Sequence, residues 1–363
     1  MEEIRTAFVL SAANLGWLGG INYYRNLLNN VQEFPEYRIS PVLFVAPDMD
    51  QKLLDGYPDI PMEITNSLDL RKYRIDVISH IPQPVWMDGI ATIAWIPDFQ
   101  HKRMPQFFSR QEILNRDIQF LRFAEMTDCV ILSSEDAQKD FETFYPEYKN
   151  KGVVLHFVSN PQRIEYDRKK LQAKYHLPPR FFYVPNQFWM HKNHKIVLDA
   201  LRLLPDREIR VYCSGSTSDY RNNGYMDWLL SCIQEYGLEE QCIILGVVPY
   251  EDVYGLTKEC TALLQPSLFE GWSTVVEEAK SLGKRILLSN IPVHREQNPE
   301  GGVFFREDSP ESLADKMLLV WEMGPSADSQ LLKHAEKQIR YRKQEMLEQY
   351  RKILEMAVAR ARN

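Results

Sequence analysis

Glu270 and Glu278 frame the segment Glu270-Gly-Trp-Ser-Thr-Val-Val-Glu-Glu278, with seven residues between the two carboxylates. An apolar run precedes it (Ala262-Leu263-Leu264) and another follows (Ile286-Leu287-Leu288), each reading as a short buried strand. Val275, Val276, Ala279 and Leu282 make the stripe of a short helix that Gly283 closes. Thr274 and Glu277 have capping-box spacing at its start. The two acids therefore occupy a strand-to-helix turn and the first turns of the helix. In open α/β sheets ligands bind at that end of the strands, and a helix start with free N–H groups attracts anions. An ionised carboxylate only accepts hydrogen bonds, which suits the hydroxyls of a sugar or ribose. The helical period sets Glu278 beside the buried stripe and turns Glu277 away from it.

A second strand-to-helix loop runs Pro185-Asn-Gln-Phe-Trp-Met-His-Lys-Asn-His194. Lys192 there puts an ammonium beside free N–H groups, a cradle for a diphosphate; a lysine on an exposed loop is the plainer alternative. His191 and His194 have the spacing of a metal pair, but no third ligand clusters with them, so no metal is expected. Gly16, Gly19 and Gly20 precede a helix expected from Ile21. They either turn tightly or bring backbone against a ligand, and both readings stand. Asp98 and His101 share a loop after a further apolar run and could position an acceptor hydroxyl or take its proton. A surface loop whose histidine bonds locally is the alternative. His80 ends the neighbouring strand, where it could share a site with that loop. Ser214-Gly215 closes another strand, as a nucleotide contact or as a turn only.

The elements that must position these residues recur along the chain. Apolar runs at 6–12, 41–46, 75–79, 91–96, 129–132, 153–157, 181–185, 209–213, 242–246, 262–264 and 286–288 read as strands, with amphipathic stretches between many of them. Short apolar strands separated by helices indicate parallel sheets covered on both faces. Eleven such strands in 363 residues divide best into two βα-repeating domains. The polar stretch Ser159–Lys170 marks the hinge, and the expected division is 1–162, 163–335 and a C-terminal helix over 336–363. That tail carries Met346, Leu347, Tyr350, Ile353, Leu354, Ala357 and Val358 at heptad-like spacing, with Arg and Lys on its other faces. Because glutamates dilute the basic face, packing against the domains is expected before contact with an anionic membrane.

The net charge of −7 argues against nucleic acid as a partner. A hydrophobic content of 44% and a charged content of 26% suit a globular soluble chain. The five cysteines show no C-x-x-C spacing, as expected of reduced thiols in a cytoplasmic protein.

The stretch "PSLFEGWSTVVEEAKSLG" closely resembles the donor-site motif of family 4 retaining glycosyltransferases, the group 1 enzymes of GT-B fold. The resemblance implies two Rossmann-like domains facing each other across a cleft, with the C-terminal helix packed back on the N-terminal, acceptor-side domain. It implies that Glu270 and the backbone of Gly271, Trp272, Ser273 and Thr274 hold the donor sugar and its phosphates, and that Glu278 holds the ribose. The family's Gly-Arg-x-x-x-x-Lys pattern is matched at Lys192, but Asn186-Gln187 stands in place of Gly-Arg. A neutral glutamine donates a hydrogen bond without neutralising charge. Gly20 would approach the donor phosphate, and the loop around Val248 would hold the base through its backbone. The family's His-Asp pair keeps only Asp98, with Pro97 before it and His101 as a displaced substitute; His294 falls in a similar segment and is expected to be structural.

The implied function is transfer of a sugar from a nucleotide-sugar, UDP-sugar or GDP-sugar foremost, to a glycan or lipid-linked acceptor in polysaccharide or glycolipid assembly. The expected enzyme is a metal-independent hexosyltransferase that retains anomeric configuration and needs no cofactor. Lys192, Glu270, Asp98 and His101 are its candidate catalytic residues. Its expected place is the cytoplasm, with peripheral contact at the inner face of the membrane as a further option. A non-catalytic nucleotide or sugar binder on the same scaffold is the rival, favoured by the missing Arg and His, and a phosphorylase is a third reading.

Overall fold

A computed structural model gives the fold and describes residues 2–10, 18–50, 54–81, 83, 87, 89–159, 161, 164–324 and 328–362. The chain divides into two compact units, Met1–Ser159 together with Arg340–Asn363, and Asn160–Ile339. The first contains β1 (Ile4–Leu10), β2 (Ile39–Val45), β3 (Met62–Ile64), β4 (Val77–Ser79), β5 (Ala91–Ile96), β6 (Cys129–Leu132) and β7 (Gly152–Val154). Its helices are α1 (Leu18–Glu33), α2 (Gln100–Arg103), α3 (Arg110–Met126) and α4 (Glu135–Phe144). The second contains β8 (Phe182–Pro185), β9 (Val211–Ser214), β10 (Cys242–Gly246), β11 (Ala262–Gln265), β12 (Ile286–Ser289) and β13 (Gly302–Phe305). Around them lie α5 (Arg168–Tyr175), α6 (His194–Leu203), α7 (Tyr225–Tyr236), α8 (Tyr250–Glu259), α9 (Thr274–Leu282), α10 (Pro292–Gln297) and α11 (Pro310–Met323). The last helix, α12 (Asp328–Ala361), begins in the second unit and ends in the first.

Among the described residues each unit has one parallel sheet, ordered β3-β2-β1-β4-β5-β6-β7 and β10-β9-β8-β11-β12-β13. In both, the order reverses beside the unit's first strand, as in a Rossmann fold. Central strands such as β6 (CVIL) and β12 (ILLS) are buried at every position because helices cover both faces. Eleven strands match the apolar runs, and β3 and β13 are additional. Both are edge strands: β3 is a three-residue, partly exposed Met-Glu-Ile with no apolar run, whereas β13 has the short run Val303-Phe304-Phe305 after its opening glycine, a run absent from the expected strands.

Side-chain caps start several helices. Ser109 and Glu112 form a capping box on α3, Ser134 caps α4, and Asp167 accepts two N–H groups of α5. Gly283 ends α9 with φ 60°, and a Cβ there would meet Leu332 Cα at 2.4 Å. Only glycine permits both the left-handed turn and that contact with the start of α12.

The end of α12 packs on the first unit, with Leu347, Tyr350, Leu354 and Ala357 fully buried. Basic residues on this helix are tied down as well. Lys343 pairs with Glu33 at 2.6 Å, and Arg351 donates to the carbonyls of Glu2 at 2.7 Å and Arg38 at 3.0 Å. Arg360 donates to the carbonyl of Asp128 at 2.8 Å. The long helical pattern of the C-terminal stretch is one helix, continuous from Asp328 to Ala361 across the expected boundary at residue 336. Among the described residues no helix is long and apolar enough to cross a membrane.

Tyr350 closes a buried chain of polar groups. Its hydroxyl donates to Ser79 Oγ at 2.8 Å, Ser79 Oγ meets His80 Nδ1 at 2.6 Å, and His80 Nε2 meets the Tyr23 hydroxyl at 2.7 Å. Burial pushes the His80 imidazole down to about 3, so the ring is neutral near pH 7 and donates through one nitrogen while accepting through the other. Replacing Tyr350 with Phe should destabilise the protein by about 1–2 kcal/mol, because a buried polar chain loses its terminal donor. The check is a lower urea midpoint with unchanged slope; an unshifted midpoint would remove this chain from the stability account.

Candidate active site

The carboxyl ends of β8 and β11 lie side by side where the strand order of the second unit reverses, the place at which open α/β sheets bind ligands. From β8 the chain passes through Asn186 and Gln187 into a 3-10 turn, Met190–Lys192. Asn193, at φ 56°, then starts α6. From β11 it passes Ser267 and Glu270 to Ser273, which opens α9. The backbone joins the two loops, with Leu268 N–H donating to the His191 carbonyl at 2.8 Å.

Lys192 Nζ donates to Glu270 Oε1 at 2.7 Å, and the two side chains are 16% and 10% exposed. Burial pushes the Glu270 carboxyl up, but the Lys192 charge, the neighbouring His294 and bonds from Lys192 and Ser267 outweigh it. The carboxyl is held below its ordinary 4.5. Around this pair lies a set of buried polar groups. Gln265 Nε2 donates to Glu270 Oε1 at 2.8 Å and faces Ser273 Oγ at 3.0 Å and Ser267 Oγ at 3.2 Å, while Asn186 Nδ2 donates to Gln265 Oε1 at 2.8 Å. The Ser273 hydroxyl is therefore turned to Gln265 and makes no cap on α9. A helix start whose own serine does not cap it keeps N–H groups for an anion.

Two expectations for α9 are corrected here. Thr274 and Glu277 form no capping box, because Ser273 is the N-cap residue. Glu277 does not point away: it is 1% exposed, accepting from Gln297 Nε2 at 3.1 Å and Lys280 Nζ at 3.2 Å. Gln297 also holds the Ser273 backbone from both sides, so a polar partner on α10 draws Glu277 inward. Glu278 is partly exposed beside it, and its charge reaches the Tyr183 hydroxyl, which burial already pushes up.

Ser214 is buried, its hydroxyl engaged by Tyr183. Gly215, at φ 148°, packs so closely that a Cβ would lie 2.4 Å from the Asn186 carbonyl oxygen. This closeness brings the end of β9 against the β8 loop and requires glycine. Val248 is partly buried and packs on the same core cluster as Val275. Gln187, Gly271, Trp272 and Thr274 are partly buried around the same strand ends. His194 is buried and stacks on Phe188 at 4.3 Å, and His191, on the preceding 3-10 turn, is buried as well. Among the described residues no group of three or more His, Cys, Asp or Glu is arranged to hold a metal. His294 is fully buried, its Nδ1 facing the Ser289 carbonyl at 2.9 Å.

The candidates of the first unit are arranged differently. Gly20 lies inside α1, which begins at Leu18 and not at Ile21, and Gly16 lies outside the described residues. Asp98 accepts the Gln100 N–H at 2.9 Å, a local turn bond. His101 is fully buried among Phe99, Phe108 and Phe120, with Nε2 on Asp117 Oδ1 at 2.9 Å. Burial pushes its imidazole down against the pull of Asp117. A ring with no exposure cannot take a proton from an acceptor, so its candidacy as a catalytic base is withdrawn. His80 is likewise buried and occupied.

Gln265 was not among the residues singled out by sequence. Its signal is a carboxamide ending the apolar run Ala262-Leu263-Leu264, where a buried amide needs partners on both its oxygen and its nitrogen.

Because Glu270 is held low, its contribution to stability is present above the ordinary carboxyl range and lost as pH falls through its folded value. Replacing Lys192 with Met removes the cation and leaves burial to push the carboxyl up. The variant should be less stable by about 3 kcal/mol at neutral pH, with the gap closing as pH falls through the variant's raised carboxyl value and on through the wild type's lowered one. Urea midpoints across that window measure it, and a pH-independent gap would contradict the pairing.

The model of the family "Glycosyl transferases group 1" matches residues 167–344. A comparison with curated proteins finds no match. Among solved structures, a glycosyltransferase from Rickettsia africae is similar with a TM-score of 0.72 at 16% identity, covering 98% of each chain. HepE from Anabaena, solved in complex with UDP and glucose, is similar with a TM-score of 0.68 at 18% identity, covering 96% of this chain and 98% of its own. Sucrose-phosphate synthase from Thermosynechococcus elongatus gives a TM-score of 0.67 at 15% identity over 95% of each chain. At these identities the likeness is one of fold, a GT-B type with two Rossmann-like domains. The family match lies over the unit that carries Lys192, Glu270 and α9.

Proposed function

We propose that the chain is a retaining, metal-independent glycosyltransferase of the family 4 type that takes a nucleotide-sugar donor. The observation that carries this reading is the Lys192–Glu270 pair at the strand-order reversal of the second unit, beside a helix start that its own serine leaves uncapped. A diphosphate needs a cation and N–H donors, and Lys192 with the start of α9 supplies both. Glycosyl transfer develops negative charge on the departing phosphate, which these groups stabilise in place. Glu270 accepts from hydroxyls of the donor sugar, and Glu278 from those of the ribose. Gln187 adds a neutral donor where the resembling family has a cation, leaving Lys192 and the helix dipole to meet the phosphate charge.

A UDP-sugar is the first choice of donor, supported by the UDP and glucose bound to HepE. The acceptor is a glycan or lipid-linked sugar, and the place of action the cytoplasm, with peripheral contact at the inner face of the membrane. Asp98 is the acceptor-side candidate that keeps exposure.

The test is turnover with a panel of UDP-, GDP- and ADP-sugars, comparing wild type with Lys192→Ala and Glu278→Ala. Lys192→Ala should lower kcat/KM by about 100-fold or more, as for loss of one charge-stabilising donor, and Glu278→Ala should lower it by removing the carboxylate that accepts from the ribose. Product anomers read by NMR should retain the donor configuration. Wild-type rates in both variants would sink the site assignment. Nucleotide binding without release or transfer of sugar would support the rival reading, a non-catalytic binder.

A further inference from the structure

We propose that Gln265 is the positioning residue of this site, holding Glu270 against Lys192 and tying the ends of β8 and β11 to the start of α9; the inference rests on the site's being a nucleotide-sugar site. The side chain is fully buried at the last residue of β11. A carboxamide has two donor hydrogens on nitrogen and an acceptor oxygen, and this geometry uses both ends. The oxygen takes the Asn186 Nδ2 hydrogen at 2.8 Å, which fixes the β8 loop that carries Lys192. The nitrogen reaches Glu270 Oε1 at 2.8 Å, the same oxygen that Lys192 meets at 2.7 Å. Two donors from different strand ends on one oxygen fix where that carboxylate sits. The nitrogen also faces Ser273 Oγ at 3.0 Å, so the hydroxyl that would cap α9 is held elsewhere and the helix start stays available.

Neither an apolar isostere nor a carboxylate can do this. Leucine would leave the Asn186 amide without its acceptor and Glu270 Oε1 without its second donor. An ionised glutamate would still accept from Asn186 but would set a second carboxylate against Glu270, where two carboxylates in contact share one proton. Lys192 from the β8 loop and His294 from α10 are the other titratable groups acting on Glu270. His191, next to Lys192, feels the charges of Lys192 and Arg221. Burial pushes both histidines down, so Lys192 is the cation facing the carboxylates.

The experiment uses the full chain and calorimetric binding of UDP-, GDP- and ADP-glucose between about pH 8 and about pH 5. Gln265→Glu should bind the wild type's preferred nucleotide-sugar about 100-fold more weakly at the upper limit and recover at least about tenfold at the lower, as the shared proton restores a donor. Wild type should vary little over the same range. Gln265→Leu should bind weakly throughout; should it fail to fold, Gln265→Glu at low pH, with its donor-and-acceptor pattern restored, still decides. A variant whose melting temperature falls with rising pH while its affinity stays at the wild-type value would show a merely structural role and overturn the inference. Wild-type affinity at every pH would overturn it equally. A wild-type protein that binds no nucleotide-sugar would instead overturn the reading of the site, and the inference with it.

Discussion

The contact between Lys192 and Glu270 is the constraint around which the second unit is arranged. A carboxylate this far from water needs a cation and hydrogen-bond donors, or burial drives it to the neutral acid. The fold supplies the cation from the loop after β8 and the second donor from the last residue of β11. Those strands are neighbours because the sheet reverses its order between them. Gly215 then has to be glycine so that the end of β9 can close against Asn186. Ser273 leaves its cap unmade so that Gln265 can be satisfied. Each departure from local preference at these strand ends serves the same small group of polar atoms.

The first unit solves a parallel problem with opposite chemistry. At the corresponding reversal, beside β1 and β4, the polar group is His80, and it is met by Ser79, Tyr23 and, through Ser79, Tyr350 of α12. Aromatic rings surround it, with Tyr23 stacked on Trp95 at 4.0 Å. Burial keeps that imidazole neutral, so the chain of hydroxyls holds a helix in place and carries no charge. Arg351 and Arg360 act alike, spending their guanidiniums on backbone carbonyls at strand and loop ends. A helix whose basic residues suggest an anionic surface is thereby fastened to its own domain.

Much of this was legible in the residues. Buried parallel strands read as apolar runs, and eleven of the thirteen strands among the described residues were visible that way; β3 is missed because its Met-Glu-Ile is polar at the centre and mostly exposed, and β13 because its run Val303-Phe304-Phe305 is short and follows a glycine. The turn holding Glu270 and the loop holding Lys192 were visible as polar segments at strand ends. What periodicity could not show was a polar partner distant in sequence. Glu277 lies inward because Gln297 meets it, and His101 is lost to the core because Asp117 on α3 takes its ring. Gln265 was hidden for the related reason that its role appears only when Asn186, Glu270 and Ser273 are brought together.

The central claim is that an anionic sugar donor settles on the backbone at the ends of β8 and β11. Hydrogen–deuterium exchange with and without saturating nucleotide-sugar tests it most directly. Amides of residues 186–192 and 270–276 should gain protection, more than those lining the surface pocket of Asn290, Arg295 and Arg306. Saturation that leaves the first two segments unchanged, or protects the pocket alone, would contradict the account.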